Sequence, residues 1–168
     1  MNKTLVCMLA ALAIPAGAAQ AADYPEMKEG LWQIHNQFLD AQGKVTNDGT
    51  SEVCRNHAYD KAVQDRARAM MAKTCSPPDE NYSGNKFTSE ISCKMMGSTV
   101  DTKSVATFQG DSAAHSESHT TYNPPLSGSS GEAMTQDQKY LGSCPAGMQP
   151  GDRKNADGSI SHSSALRP

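Results

Sequence analysis

Apolar and polar positions alternate along much of the chain, which is the pattern of β-strands. Within Gly30–Asp40, the largest apolar side chains, those of Trp32, Ile34 and Phe38, share one alternating set of positions with Asn36. Successive side chains of a strand point to opposite faces of a sheet. The segment therefore predicts a strand whose Trp32–Phe38 face is turned toward a core.

The same alternation predicts further strands, and these are rich in Ser, Thr and Val. They are expected at residues 45–54, 86–95, 99–109, 113–122 and 133–141. The short turns between most of them make the strands antiparallel neighbours. The sequence thus predicts a mainly β (α+β) fold with a curved antiparallel sheet of about five to six strands.

In one segment after the second predicted strand, apolar positions recur about every 3.6 residues instead of every second residue, which predicts a helix. The helix is expected over 56–72, with Asn56 as its N-cap, and Pro77 prevents it from continuing. The apolar stripe expected to face the sheet consists of Tyr59, Ala62, Val63, Met70 and Met71.

The first residues have the features of a secretory signal peptide. Lys3 supplies a positive start, and the apolar run that ends at Pro15 is too short to span a bilayer. Small residues then lead to a cleavage pattern that ends near Ala21. We expect residues 1–21 to be removed and the mature protein to be periplasmic or secreted, without a membrane anchor.

Composition sets limits on the mature chain. Loss of Lys3 reduces the 15 basic residues to 14, against 18 acidic residues, so the net charge is about −4. Such a chain lacks the basic surface of a nucleic-acid binder. We expect one β-rich domain over 22–145, followed by a flexible tail over 146–168, which is polar and lacks apolar periodicity.

Only 5% of the residues are aromatic, so the core should be thin and in need of cross-links. The leader carries Cys7, and the mature chain keeps Cys54, Cys75, Cys93 and Cys144. In an exported chain these predict two disulfides. Three pairings are possible. We favour Cys54–Cys75, which would bracket the helix, and Cys93–Cys144, which would tie the last strand to the sheet.

The order of several short motifs is characteristic. They are Lys28-Glu29-Gly30-Leu31-Trp32 after the leader, Val53-Cys54 before the helix, then Cys75, Cys93, Gly110-Asp111 and Gly142-Ser143-Cys144. Over roughly Tyr24 to Cys144, the chain resembles the bacterial domain-of-unknown-function family 3617. The resemblance implies an exported, mostly antiparallel β domain with one helix, and it implies no activity.

A metal site is one candidate for function. His115, Glu117 and His119 would share one face of a strand, with neighbours about 7 Å apart and the two histidines about 13 Å apart. One neighbouring pair could therefore share a zinc or copper ion, whereas both histidines could not. The alternative is a solvated polar strand face. Thioethers also bind Cu(I), but Met70 and Met71 lie on the helix stripe, where the sequence favours core packing over copper binding.

No catalytic or cofactor-binding motif occurs, so we expect no enzyme activity and no cofactor. The sequence favours a non-catalytic binding module for a small amphipathic ligand or another periplasmic protein. Trp32, Ile34 and Phe38 are the candidates for lining its groove. The alternative function is the binding of copper or zinc.

Overall fold

The computed structural model describes residues 25–162, so the expected signal peptide, residues 1–21, lies outside the described residues. The described chain forms one antiparallel sheet and one helix. The strands are β1 (Gly30–Asp40), β2 (Val45–Arg55), β3 (Asp79–Ser83), β4 (Lys86–Met95), β5 (Ser98–Gln109), β6 (Ala113–Leu126), β7 (Ser129–Gly142), β8 (Arg153–Lys154) and β9 (Ile160–Ser161), and the helix is α1 (His57–Met71). Within residues 25–162, no helix has the length and apolar character needed to cross a membrane.

The mainly β architecture with one helix after the second strand is confirmed, but the sheet has nine strands rather than five to six. Their order is β3-β4-β5-β6-β7-β1-β2-β8-β9. The unexpected strands are short: β3 is a polar five-residue edge strand, and β8 and β9 have two residues each. Their formation depends on a neighbouring strand, since they carry too few alternating apolar positions to be recognised locally.

The strand register divides the sheet into two faces, which we call the inner and outer faces. Trp32 lies opposite Val53 of β2 and Tyr140 of β7 on the inner face. Its indole nitrogen donates to the carbonyl oxygen of Lys28 at 2.8 Å. The buried core on this face consists of Met27, Trp32, Val53, Phe87, Phe108 and Ala114.

Helix α1 is attached to the inner face by polar contacts more than by its apolar stripe. Asn56 caps it by accepting from the backbone nitrogen of Tyr59 at 2.8 Å, and Tyr59 packs against the core. No residue of α1 is buried, and Val63 and Met70 are 37% and 63% exposed. The expected packing of the whole stripe on the sheet is therefore wrong. Tyr59, Ala62 and Met71 are half-buried, and Asp60 also faces the sheet, where it pairs with Arg55.

The favoured disulfide pairing is wrong. The structure pairs Cys54 with Cys144 and Cys75 with Cys93. The 15 residues of α1 separate Cys54 from Cys75 by about 22 Å along the helix axis, whereas a disulfide needs Cα atoms within about 7 Å. Leu31 of β1 lies between Cys54 and Gly142 in the register, which brings Cys144 to Cys54 at a Cα separation of 5.6 Å.

The segment after residue 145 packs on the domain as far as residue 162, in contrast to the expected flexible tail over 146–168. Met148 and Asp152 are 8% and 1% exposed. The carbonyl oxygen of Asp152 accepts from the backbone nitrogen of Cys54 at 3.0 Å, and Gly151 donates to the carbonyl oxygen of Cys54 at 2.8 Å. The polar composition conceals this docking because it depends on β2 and on Met148 rather than on local periodicity.

Candidate functional site

Six side chains form a continuous row across the inner face, which we call the inner row. Each member lies opposite the next in the strand register, and the row runs from the β3 edge to β1. Its members are Glu80, Ser89, Ser104, Ser118, Met134 and Phe38. The first five are half-buried and Phe38 is 37% exposed.

The inner row changes character along its length. Its β3 end carries a carboxylate followed by hydroxyl groups, and its β1 end carries the thioether of Met134 and the ring of Phe38. Adjacent strands are about 4.8 Å apart, so the row extends over about 24 Å from β3 to β1. A ligand lying along it would meet polar groups at one end and apolar groups at the other.

Hydrogen-bonded side chains flank the inner row on the same face. On one side, Gln136 donates to Asn36 Oδ1 at 2.7 Å and accepts from Gln138. On the other side, the hydroxyl oxygens of Thr102 and Thr120 lie 3.0 Å apart. These bonds hold the flanking side chains in place, because the bonded polar groups satisfy one another.

Glu80 differs from these flanking groups. Its side chain is 11% exposed, and its Oε2 atom is buried and has no hydrogen-bond partner within residues 25–162. Nη2 of Arg68 on α1 lies 3.7 Å away, which is beyond the range of a hydrogen bond. An unmet buried acceptor is costly, so this oxygen is a point at which a donor would stabilise the structure.

Of the three expected groove residues, Trp32 is fully buried, whereas Ile34 and Phe38 are partly exposed. Trp32 is 0% exposed and belongs to the core, so it cannot touch a ligand. Ile34 is half-buried and packs against that core. Phe38 remains available as the apolar end of the inner row. The alternation of the first strand was enough to place all three on one face, but it gives no information on the depth of burial.

The outer face carries a row of alternating acids and imidazoles, which we call the outer row. His35 contacts Asp48 at 2.8 Å through Nε2 and Asp137 at 3.9 Å through Nδ1. His115 contacts Asp137 at 2.7 Å through Nδ1 and Glu117 at 3.2 Å through Nε2. Asp137 thus lies between two imidazoles, and four neighbouring strands are joined.

These contacts shift two pKa values. The hydrogen bond to Asp137, and then that to Glu117, raise the pKa of His115 because both carboxylates favour the imidazolium form. The hydrogen bond to His35, and then that from Gln37, lower the pKa of Asp48 because both stabilise its ionised form. Within the outer row, these contacts therefore favour the charged forms of His115 and Asp48.

The expected metal-site residues His115, Glu117 and His119 share the outer face, but only the first two are in contact. His119 lies about 13 Å from His115 along β6 and faces Lys103 in the register. Across residues 25–162, no group of three His, Cys, Asp or Glu residues is arranged to hold a metal ion. Of the methionines, Met70, Met95 and Met96 are 63%, 48% and 82% exposed.

A cavity that the sequence did not indicate lies between β2 and the β8–β9 hairpin, with a volume of about 420 Å³. Its lining comes from residues 50–52 and 154–158 and combines polar and apolar surface. The cavity forms because the C-terminal segment docks on the domain. The polar composition of residues 146–168 did not indicate that docking, so it did not indicate the cavity either. Glu80 was also missed, because the five residues of β3 show too little alternation.

No curated protein is similar enough to this chain to count as a relative. The family model of DUF3617, described as a protein of unknown function, matches residues 27–144. The matched region includes β1 to β7, α1 and all four cysteines of the two disulfides. The expected resemblance is confirmed, and the chain belongs to the DUF3617 family.

Proposed function

We propose that this chain is a non-catalytic binding module of the extracytoplasmic space and that its inner row takes a small amphipathic ligand. The observation that carries the proposal is the inner row itself. A carboxylate and hydroxyl groups at one end and two apolar side chains at the other match a molecule with a polar head and an apolar tail.

The attachment of α1 near its two ends supports access to this row. The ion pairs between the helix and the sheet involve Asp60 with Arg55, near its start, and Arg68 with Glu80, near its end. Between them, α1 buries none of its own residues. Ser104 and Ser118 in the middle of the inner row remain partly exposed.

The extracytoplasmic location is supported by two independent features. The first residues have the charge and apolar pattern of a signal peptide. The described domain also contains two disulfides, Cys54–Cys144 and Cys75–Cys93, and such bonds persist in oxidising compartments.

Native mass spectrometry of the mature protein from a periplasmic extract tests the proposal. We expect a mass that exceeds the denatured mass by a discrete amount, and we expect Phe38→Ser to lose that excess. Val105→Ser is the matched control, because Val105 lies on the outer face of β5. Equal native and denatured masses for wild type, or an excess that Phe38→Ser keeps and Val105→Ser loses, would count against binding at the inner row.

Metal binding is a second candidate, favoured by the 3.2 Å contact between His115 Nε2 and Glu117 Oε1. That separation is close to the distance between two ligands of one tetrahedral zinc ion, given metal–ligand bonds of about 2 Å. Calorimetry with Zn(II) and Cu(II) tests it. A saturable heat that His115→Gln removes and His119→Gln keeps would support the site, and the absence of such a heat in wild type would end it.

A further inference from the structure

We propose that Glu80 anchors the polar head of the ligand and that this head is a hydrogen-bond donor, either an ammonium or a hydroxyl group. The inference rests on the proposed binding function and adds the chemistry of the ligand's polar end. It follows from one atom, Glu80 Oε2, together with its position at the end of the inner row.

Glu80 Oε2 is a carboxylate oxygen without a hydrogen-bond partner within the described residues, and it is buried. Buried polar atoms are almost always hydrogen-bonded, because an unmet acceptor loses its hydration without compensation. Glu80 belongs to an edge strand that is otherwise largely exposed. The Glu80 side chain is nevertheless only 11% exposed, and its Oε2 atom lies beside Arg68 of α1 rather than in open solvent.

Arg68 balances the charge of Glu80 without meeting this need, because its Nη2 atom lies 3.7 Å from Oε2. The neighbouring hydroxyl group of Ser89 can donate or accept, so it is compatible with many head groups. Glu80 is selective, because an ionised carboxylate only accepts. A ligand that presents a donor would satisfy Oε2, and one that presents an ionised carboxylate, which only accepts, would leave Oε2 without a partner.

The position of Glu80 also sets the direction of the ligand. The three serines of the inner row separate the carboxylate from Met134 and Phe38. The head would therefore lie at the β3 edge beside Arg68, and the tail would point toward β1. An apolar tail in that direction would contact Met134 and Phe38, the two apolar side chains of the row.

Calorimetry with three probes of equal tail length tests the inference: decylammonium, decanol and decanoate, each below its micelle concentration at neutral pH. We expect decylammonium and decanol to bind wild type at least tenfold more tightly than decanoate. Glu80→Gln removes the charge at nearly constant shape and should reduce the preference for decylammonium over decanoate at least tenfold. A comparison of the two donor probes then separates an ammonium head from a hydroxyl head.

Glu90→Gln is the matched control. It makes the same change of charge one position beyond Ser89 on β4, where Glu90 faces Lys103 on the outer face, and it should keep the wild-type preference. Circular dichroism and a thiol assay check that each variant is folded and disulfide-bonded. Equal affinities for the three probes, or a preference that Glu80→Gln keeps, would overturn the role of Glu80 and leave the binding function standing. No binding of any probe to wild type would count against both.

Discussion

Arg55 and Asp60 form a bidentate ion pair that fastens the start of α1 to the inner face. Nε of Arg55 donates to Asp60 Oδ1 at 2.8 Å and Nη2 donates to Oδ2 at 3.0 Å. The two side chains are only 15% and 18% exposed. The guanidinium also lies 5.0 Å from the centre of the Trp32 ring, so this pair joins the helix to the core.

Asp60→Ala should therefore destabilise the protein strongly. It leaves the Arg55 charge without its partner in a largely buried position, for which the expected loss is about 3 kcal/mol. Urea unfolding followed by circular dichroism measures it. Lys61→Ala is the control, because Lys61 and Asp65 form an exposed pair on the same helix, and its loss should stay below about 1 kcal/mol. Similar losses for both variants would show that the buried pair is not what holds α1.

The two disulfides should differ in their contribution to stability. Cys54–Cys144 closes a span of 90 residues and Cys75–Cys93 one of 18. In the chain-entropy model these spans correspond to about 4.6 and about 3.2 kcal/mol. Replacing both cysteines of a pair with serine and measuring urea unfolding tests the order, and a greater loss for the shorter span would contradict it.

Peptide mapping under non-reducing conditions tests the pairing itself. It should recover a peptide containing Cys54 joined to one containing Cys144. A peptide pair joined through Cys54 and Cys75 would instead support the pairing that the sequence favoured. It would require the two ends of α1 to lie in a different arrangement.

The outer row should make stability depend on pH through His115. Asp137 and then Glu117 raise the pKa of His115 above its ordinary value of 6.5. A raised pKa stabilises the folded state fully below the unfolded value, and this stabilisation is lost as the pH rises through the folded value. His115→Gln should therefore destabilise the protein more at about pH 5.5 than at about pH 8.5.

Urea unfolding of wild type and His115→Gln at both pH values gives the comparison, with His119→Gln as the control on the same strand. NMR titration of the His115 ring would report its pKa directly, and Asp137→Asn should lower that pKa. A destabilisation that grows toward high pH would contradict the assignment.

The docked C-terminal segment should contribute measurably to stability. Met148 is 8% exposed and belongs to a small buried cluster with Leu31 and Cys54. Met148→Ala should cost about 2 to 3 kcal/mol, because it removes buried apolar surface and leaves a cavity. Ala146→Ser changes an exposed position of the same segment and serves as the control. A Met148→Ala variant as stable as wild type would show that the segment is mobile, as its composition suggests.

Local pattern was sufficient for the elements that carry their own periodicity. The strand expected over 86–95 has the bounds of β4, and the helix expected over 56–72 forms at His57–Met71 with Asn56 as its cap. In both segments, the residues themselves contain enough alternation or capping to define the structure.

Features that depend on distant strands could not be obtained in this way. The pairing of Cys54 with Cys144 depends on the position of β1 between β2 and β7, and no local pattern specifies which strands are neighbours. The inner row has the same origin, because Glu80 and Phe38 meet the same row only through the register of six strands. Alternation placed Phe38 on the correct face, whereas Glu80 lies on a strand too short to be recognised.

The most direct test of the inner row uses the methyl group of Met134 as a reporter. Methyl NMR of protein labelled at its methionines would be recorded while decylammonium is added. Binding along the inner row should shift the Met134 signal and give contacts between that methyl group and the alkyl chain. The signals of Met96, at the exposed β4–β5 turn, and of the buried Met148 should stay in place. An unchanged Met134 signal, with shifts at Met96 or Met148 instead, would contradict a ligand site on the inner face.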